Sequence, residues 1–280
     1  MRRTWKTWMR LRRLVRPEVT VAMGSRRIRI DLRDRIIAKR LYLGIAWERD
    51  LQQLLAAMSL RGGVCLDIGA NIGIHSLLMS ELVGPAGRVY AFEPERRNFA
   101  LLEANLKLNR VTNVTAAATA LGDSVGTCRL AVSPNNFGDH RVASGREGRG
   151  GDVPITTVDA AMATVPDGAV RFVKVDVQGY EHHILRGMRA TLERNPDLIL
   201  ALEVFPQALR AAGSSAQDVM ERLQDLGMVG WEFLPRLQPV QPPWIYELIR
   251  DGDQVDVIVC RNAVLLEEVL GRWHGGRLGP

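Results

Sequence analysis

The chain has 280 residues, of which 46% are hydrophobic, so it is long enough for one large domain with a buried core, and wholesale disorder is excluded. Its three cysteines exclude a disulfide framework and a four-cysteine zinc site. The formal net charge of +6 is unevenly distributed, because residues 1–40 carry 14 basic and three acidic side chains whereas the remaining residues carry 23 and 28. Since the basicity belongs to an N-terminal arm, no specific nucleic-acid partner is expected.

The arm, residues 1–16, interleaves basic residues with Trp5, Trp8 and Leu11. This pattern predicts a short amphipathic helix that contacts an anionic membrane surface, and a solvated tail is the alternative. No apolar stretch follows the basic start, so a secretory signal is not expected. The sequence contains no run of about 18 apolar residues, so a membrane-spanning helix is not expected either. The predicted location is the cytoplasm, with peripheral contact at the inner membrane face. We divide the chain into a basic arm and lead-in at 1–44 and one folded domain at 45–280.

Beyond the arm, apolar runs typical of buried strands alternate with segments of helical periodicity. Helices are predicted around 51–58, 74–82, 99–106, 180–195 and 215–226, and strands at 64–68, 88–92, 114–120, 169–177 and 198–204. The alternation favours an α/β fold with a parallel sheet covered by helices on both faces. Two late strands, at 229–234 and 254–261, have no helical crossover between them and are predicted to pair as an antiparallel hairpin at one edge.

Residues typical of a ligand site follow the first strand, in Asp67–Gly73 (DIGANIG). The glycine spacing does not fit a nicotinamide fingerprint, and no Gly-Lys-Ser/Thr follows that would make a Walker phosphate loop. Asp67 at the head of the loop favours a cationic ligand, such as a sulfonium amino acid, over a pyrophosphate. Glu93 ends the second strand 20 residues after Gly73, about the spacing at which an acid binds ribose hydroxyls. The order of strand, acidic residue, glycine-rich turn, helix, strand and second acidic residue predicts a ribose-containing ligand. The alternative is that Asp67 and Glu93 only cap helices.

Further motifs accompany this loop: Val89–Asn105 (VYAFEPERRNFALLEAN), Ala120–Asp123 (ALGD), Ile155–Asp159 (ITTVD), Phe172–Glu181 (FVKVDVQGYE) and Ala201–Val204 (ALEV). With them the sequence resembles the FkbM family of class I S-adenosylmethionine-dependent methyltransferases. The resemblance runs from about Trp47 to about Leu234. It implies a Rossmann-like doubly wound sheet of about seven strands, mostly parallel with an antiparallel last strand inserted at the edge, and it implies S-adenosylmethionine as cofactor.

The resemblance also implies roles for individual residues. The glycine loop would line the methionine and ribose of the cofactor, Glu93 would bind the ribose hydroxyls, and the residues after the third strand would flank the adenine. The predicted cofactor-binding residues are Asp67, Gly69, Asn71, Gly73, Glu93, Leu121 and Asp123. The sequence departs from the commonest family pattern at Gln178, where a glutamate is frequent, and this removes a charge beside Asp176.

Three residues are predicted to be catalytic: Asp176, His140 and Glu181. A sulfonium methyl is already activated, so catalysis needs in-line positioning and removal of a proton from the acceptor hydroxyl. Asp176 ends the fourth strand, beside the first, and helix capping is its alternative role. His140 lies in a polar segment and its neutral imidazole suits proton removal near pH 7, with a surface turn as the alternative. Glu203 is a further carboxylate at a strand end.

No metal site is predicted, and the alternative is Mg²⁺ held by Asp176 with a neighbouring carboxylate. The predicted function is S-adenosylmethionine-dependent O-methylation of a hydroxyl on a carbohydrate or secondary metabolite by a methyltransferase domain at 45–280. N-methylation of a small amine is one alternative. A non-catalytic, surface-tethered binding protein with the same fold is the other.

Overall fold

The structure, a computed structural model, describes residues 15, 17–133, 136–142, 150–234, 238–239 and 254–277. Its strands are β1 (Glu18–Met23), β2 (Arg26–Asp31), β3 (Val64–Ile68), β4 (Arg88–Phe92), β5 (Val114–Ala117), β6 (Ala120–Gly122), β7 (Gly126–Ala131), β8 (Arg141–Val142), β9 (Asp152–Thr157), β10 (Val170–Val175), β11 (Ile199–Val204), β12 (Val229–Leu234), β13 (Gln238–Pro239) and β14 (Val255–Cys260). Its helices are α1 (Ile37–Tyr42), α2 (Arg49–Ala57), α3 (Ile74–Val83), α4 (Arg96–Leu108), α5 (Val158–Ala161), α6 (Glu181–Arg186), α7 (Arg189–Arg194), α8 (Pro206–Ala211), α9 (Ala216–Asp225) and α10 (Ala263–Arg277).

The central sheet has the strand order β13-β12-β14-β11-β10-β3-β4-β5. Strands β11, β10, β3, β4 and β5 are parallel to one another, whereas β14 runs antiparallel between β11 and β12. Apart from the two-residue β13, this is the predicted seven-stranded, mostly parallel sheet with an antiparallel edge hairpin. The α/β, Rossmann-like fold class is therefore confirmed.

Both faces of the sheet are buried. Since successive side chains of a strand point to opposite faces, one strand contributes to an apolar cluster on each face. In β3, Leu66 and Ile68 belong to an apolar cluster that includes Ile184 of α6, whereas Cys65 belongs to one that includes Leu54 of α2. Full burial of such a side chain contributes about 1.5–3 kcal/mol. The parallel strands are therefore largely apolar, and the acidic residues Asp67, Glu93 and Asp176 lie at or near their carboxyl ends.

Residues 18–42, part of the segment assigned to the arm and lead-in, form the β1–β2 hairpin and α1 and pack against the domain. Ile28 and Ile37 are buried in a cluster that also contains Ile72 of the glycine loop. Asn105 of α4 connects the two parts, because its Oδ1 accepts from the Arg29 backbone N–H at 2.6 Å and its Nδ2 donates to the Ile72 carbonyl at 2.8 Å. The hairpin is thereby anchored beside the glycine loop.

Two predicted elements differ from the structure. The helix predicted over 180–195 is two helices, α6 and α7, because the chain turns at Gly187, where an added Cβ would lie 1.9 Å from the Gly122 carbonyl. The strand predicted over 114–120 ends at Ala117, and Ala120 begins β6 of a second sheet with the order β6-β9-β7-β8. None of the helices in the described part of the chain combines the length and hydropathy needed to cross a bilayer. The arm's predicted helix at 1–16 lies almost wholly outside the described residues.

Candidate active site

A cavity of about 430 Å³ lies at the carboxyl ends of β3, β4 and β10. The chain leaves β3 toward β4 on one side and β10 lies on the other, so this is the point where the strand order reverses. Ligands of doubly wound sheets bind at such a point. Cofactor-sized sites in proteins have volumes of about 300–1,000 Å³, so the cavity is large enough for one.

The glycine loop after β3 forms one wall of the cavity. The backbone N–H groups of Gly69 and Ala70 both donate to the Phe92 carbonyl at 3.0 Å, which ties the loop to the end of β4. Gly69 has a φ of 80°, and a Cβ there would lie 1.9 Å from the Asp176 carbonyl oxygen. A side chain at this position is therefore excluded both by backbone conformation and by the end of β10.

Glu93 is 5% exposed and lines the cavity at the end of β4. Its Oε2 accepts from the Asn71 backbone N–H and its Oε1 from the Glu95 backbone N–H, each at 2.8 Å. Burial raises the pKa of Glu93 to about 8, and the two backbone donors oppose that shift. The carboxyl group is thus fixed in position, and each oxygen has a second lone pair for a hydroxyl group.

Asn71 itself faces the cavity with a left-handed backbone, at a φ of 52°. Its side-chain Nδ2 donates to the Phe137 carbonyl at 2.9 Å, so it joins the glycine loop to the segment that carries His140. Leu121 of β6 also lines the cavity.

Three of the predicted cofactor-binding residues do not lie on the cavity wall. Asp67 is 1% exposed, and its Oδ2 accepts from the Ser76 hydroxyl at 2.5 Å, so the carboxylate points into the first turn of α3. Gly73 lies against Leu102, where an added Cβ would come within 2.5 Å of Cδ1. Asp123 lies beyond the end of β6 and pairs with Arg186 at 3.4 Å. The first two shape the loop from behind.

Glu181 is 1% exposed and is likewise absent from the cavity wall. Its Oε1 accepts from the backbone N–H groups of Gly179, at 3.1 Å, and Val177, at 3.4 Å. Burial raises the pKa of Glu181 to about 7. The carboxyl group therefore holds the turn between β10 and α6, and the structure does not bring it to the reacting atoms.

Asp176 lines the cavity at the carboxyl end of β10, as predicted. Its Oδ2 lies 2.9 Å from Lys174 Nζ, and its Oδ1 accepts from Gln178 Nε2 at 2.9 Å. Burial opposes ionisation of Asp176, but the attraction and hydrogen bond of Lys174 outweigh it and hold the pKa below its usual range. Asp176 is therefore a well-positioned anion but a weak base.

His140 also lines the cavity. Its Nδ1 accepts from the Ser133 backbone N–H at 3.0 Å, and its Nε2 lies 4.0 Å from Glu95 Oε2. Burial lowers the pKa of the imidazole, which favours the neutral ring with its proton on Nε2. Since the ring's lone pair is already engaged by Ser133, His140 is arranged as a donor and not as a proton acceptor.

Comparison with known proteins connects this site to a family. The family model of the Methyltransferase FkbM domain matches residues 67–229, more than half of the chain. The chain belongs to the FkbM methyltransferase family. The family is S-adenosylmethionine-dependent, so the predicted cofactor of the cavity is confirmed.

Two relatives of the chain are methyltransferases by name. The chain is 29% identical over 157 residues to 31-O-demethyl-FK506 methyltransferase FkbM of Streptomyces tacrolimicus, a match that covers 45% of this chain and spans 60% of that protein. It is 29% identical over 182 residues to hexuronic acid methyltransferase AglP of Haloferax volcanii, covering 64% of this chain and 68% of that protein. The crystal structure of Methyltransferase FkbM from Methylobacillus flagellatus superposes with a TM-score of 0.42 at 17% identity, covering 70% of this chain and 43% of that one.

The residues of the FkbM-family cavity fit S-adenosylmethionine. Glu93 has a fixed carboxyl group that would bind the ribose hydroxyls, and the glycine loop would let the ligand approach its backbone. Leu121 would provide an apolar surface for the adenine. Among the described residues, no group of three or more histidine, cysteine or acidic side chains is arranged to hold a metal ion.

Several residues lie at the end of the cavity that contains Asp176, called the acceptor end below. They carry no local signal in the sequence. Arg40, Trp47 and Glu48 come from the N-terminal segment, and Glu48 has a left-handed backbone with a φ of 43°. Gln254, the residue before β14, joins them, as does Glu203 of β11, which the sequence marks only as a carboxylate at a strand end. Chain folding brings these residues together from positions about 150–200 residues apart, so local pattern could not join them.

Proposed function

We propose that this protein is an O-methyltransferase that acts on a hydroxyl of a carbohydrate or a secondary metabolite. The observation that carries the proposal is the acidic end of the cavity, where the carboxyl groups of Asp176 and Glu203 lie beyond the glycine loop. A hydroxyl acceptor must lose its proton, and a carboxyl group at this end other than the weakly basic Asp176 is placed to receive it. The names of FkbM, a 31-O-demethyl-FK506 methyltransferase, and of AglP, a hexuronic acid methyltransferase, support hydroxyl-bearing acceptors.

The chain's own residues divide the work in this proposal. Bound S-adenosylmethionine supplies an electrophilic methyl group on a positively charged sulfur. Glu93 and the glycine loop bind the cofactor at one end of the cavity. At the other end, Asp176 orients the polar groups of the acceptor. Holding the acceptor hydroxyl in line with the methyl group supplies much of the rate enhancement, because it converts a bimolecular encounter into an oriented one.

One observation favours N-methylation as a second candidate. The acceptor end carries the carboxyl groups of Glu48, Asp176, Glu203 and Asp256 around the ammonium of Lys174. Such a surface attracts a cationic amine as well as a hydroxyl. An amine acceptor would show a rate that rises with pH as the free ammonium loses its proton, with a pKa of about 10.4 for an alkylamine of the lysine type.

The proposal is tested by transfer of radiolabelled methyl groups from S-adenosylmethionine to matched acceptors. We would compare hydroxyl-bearing glycans and uronic acids with the corresponding amino sugars. Preferential labelling of hydroxyls, in a linkage that survives mild acid and base as an ether, supports O-methylation. Labelling of the amino sugars alone would overturn it in favour of N-methylation.

The arm at 1–16 remains a proposed contact with an anionic membrane surface, and a cytoplasmic, membrane-peripheral location is proposed with it. Deletion of residues 1–16 should weaken binding to vesicles that contain anionic lipid, most strongly at low salt, while binding to neutral vesicles stays unchanged. Cosedimentation of full-length and shortened protein measures this. Equal binding of both to anionic vesicles would remove the arm from the proposal.

A further inference from the structure

Carboxyl groups crowd the acceptor end of the cavity around Lys174. Lys174 is 6% exposed, and its Nζ forms an ion pair with Asp176 Oδ2 at 2.9 Å. Glu48 lies 3.3 Å from His75 Nε2, but burial lowers the pKa of His75 to about 4, so the ring is neutral near pH 7. Glu203 lies among these groups and is itself surrounded by acids. The cluster therefore holds a proton more readily than isolated carboxylates do.

Glu203 and Asp256 form a closely spaced acidic pair by strand register. They are direct partners on the antiparallel strands β11 and β14. Side chains at directly opposed positions of such strands have Cβ atoms about 4.5–5.5 Å apart, a distance at which two like charges repel. Burial, and then the neighbouring carboxylates of Asp176, Asp256 and Glu181, raise the pKa of Glu203. Burial, Glu48 and Asp176 raise the pKa of Asp256 to about 7.

Glu203 reaches the cofactor cavity, whereas Asp256 lies behind it. Glu203 lines both the 430 Å³ cavity and a side cavity of about 90 Å³, and Asp256 lines only the side cavity. Two neutral amides orient the Glu203 carboxyl group: Gln178 Nε2 donates to Oε2 at 2.8 Å, and Gln254 Nε2 donates to Oε1. Gln178 Nε2 also donates to Asp176 Oδ1, so one amide group spans both carboxyl groups.

We propose that Glu203, backed by Asp256, is the group that accepts the proton of the acceptor hydroxyl; this rests on the proposed function. In the balanced step, the acceptor O–H bond breaks and its proton moves to a Glu203 oxygen. The acceptor oxygen forms the new O–CH₃ bond, and the electron pair of the broken C–S bond stays on sulfur. Glu203 is ionised while the positive sulfonium is present, and its affinity for a proton rises when that charge is lost, because a nearby cation favours the charged carboxylate.

The experiment compares S-adenosylmethionine with S-adenosylhomocysteine, which lacks the methyl group and the positive charge. Binding of each to the full-length protein is measured calorimetrically at pH 7.5 in two buffers of different ionisation enthalpy, which gives the number of protons released. In the wild type, S-adenosylmethionine should release more protons than S-adenosylhomocysteine, because the sulfonium charge favours the ionised form of a carboxyl group whose pKa is raised by burial and neighbouring carboxylates.

In Glu203→Gln this difference should fall by more than half, and the matched control Glu193→Gln, an exposed residue paired with Arg189, should keep it. Asp256→Asn serves as a second variant and should also reduce the difference. Equal proton release by the two ligands in the wild type, or a wild-type difference in Glu203→Gln, would overturn the role of Glu203 and leave the proposed function intact. A folded wild type that binds neither ligand would overturn both.

Kinetics provide an independent readout. Glu203→Gln should lower kcat on the hydroxyl acceptor about 10²–10⁴-fold, while the Kd for S-adenosylmethionine changes by less than about tenfold, as expected from the linkage between the sulfonium charge and the ionisation of Glu203. Glu203→Asp should recover part of the lost kcat and shift its pH profile, which a residue that only supports the fold would not do. An unchanged kcat in folded Glu203→Gln would overturn the proposal. Turnover of amines alone would overturn O-methylation, whereas the proton-release result would still report on Glu203.

Discussion

The backbone N–H of Asn71 donates to Glu93 Oε2 at 2.8 Å, so the tip of the glycine loop is fixed by the residue that ends the neighbouring strand. The sequence places these residues 22 positions apart. Their hydrogen bond means that Glu93 both shapes the loop and faces the cavity. Removing its carboxyl group should therefore affect the cofactor before it affects the acceptor.

We expect Glu93→Ala to weaken S-adenosylmethionine binding about 10- to 100-fold, since a buried hydrogen-bonding group that loses its partner costs about 1–3 kcal/mol. Isothermal titration calorimetry measures the Kd, and circular dichroism confirms that the variant is folded. Glu103→Ala, on the exposed side of α4, is the matched control and should bind as the wild type does. Unchanged affinity in folded Glu93→Ala would remove Glu93 from the cofactor site.

Two glycines with similar backbones separate conformational strain from steric exclusion. Gly69 and Gly62 have φ values of 80° and 75°, but a Cβ at Gly69 would lie 1.9 Å from the Asp176 carbonyl, whereas at Gly62 nothing lies within 4 Å. Gly62→Ala should cost only the left-handed backbone penalty, about 1–2 kcal/mol. Gly69→Ala should cost more, because it also displaces the end of β10.

Chemical denaturation of both variants measures the difference in the free energy of unfolding. Gly69→Ala should also lose detectable cofactor binding under conditions where Gly62→Ala retains it. Equal destabilisation by the two substitutions would show that the loop can move away from β10, and the close approach of Gly69 to Asp176 would then have no role in binding.

Much of the fold could be predicted because its strands are continuous apolar runs, and because the helices between them show a clear period. The β1–β2 hairpin is harder to predict although Ile28, Ile30 and Leu32 alternate with polar residues, since the charge of the segment suggests an arm. The break at Gly187 could not be predicted, because it depends on the Gly122 carbonyl of a distant strand.

The cofactor half of the site could be predicted better than the acceptor half. Its residues follow strands in a fixed order, so Glu93 and the glycine loop are recognisable from spacing alone. The charge of Asp67 suggests a place in the cavity, but the strand's geometry turns its carboxylate toward Ser76. The acceptor half combines Glu48, Glu203 and Gln254, and only tertiary structure brings them together.

We expect Asp176→Asn to lower turnover more than His140→Ala. The first substitution removes the partner of Lys174 and disturbs the amide of Gln178, and it should slow turnover about 10²-fold. His140 already accepts from Ser133 and is not free to take a proton, so its loss should raise the acceptor KM and change kcat less than about tenfold. Steady-state kinetics on the acceptor, with calorimetry of cofactor binding, separate these effects. A larger loss of turnover in His140→Ala would restore His140 as the base.

Glu181 allows a test of stability against pH, because Glu181→Gln preserves the hydrogen bonds of Oε1 while Oε2 has no hydrogen-bond partner among the described residues. The folded-state pKa of Glu181, about 7, lies above its ordinary value of 4.5. Between these pH values the folded state binds more protons than the unfolded state, so Glu181 makes the protein less stable as the pH rises from 4.5 to 7, and the full cost remains above pH 7.

Glu181→Gln should therefore leave the Tm nearly unchanged at pH 4.5 and raise it at pH 8, by about 2–4 °C for each 1 kcal/mol of relieved cost in a domain of this size. Differential scanning calorimetry across this pH range measures the effect, with the exposed Glu193→Gln as control. Because Glu181 does not line the cavity, turnover should change less than about tenfold. Turnover slowed by roughly 10²-fold or more, with the Tm unchanged at pH 8, would instead make Glu181 the catalytic residue that its position after β10 suggests.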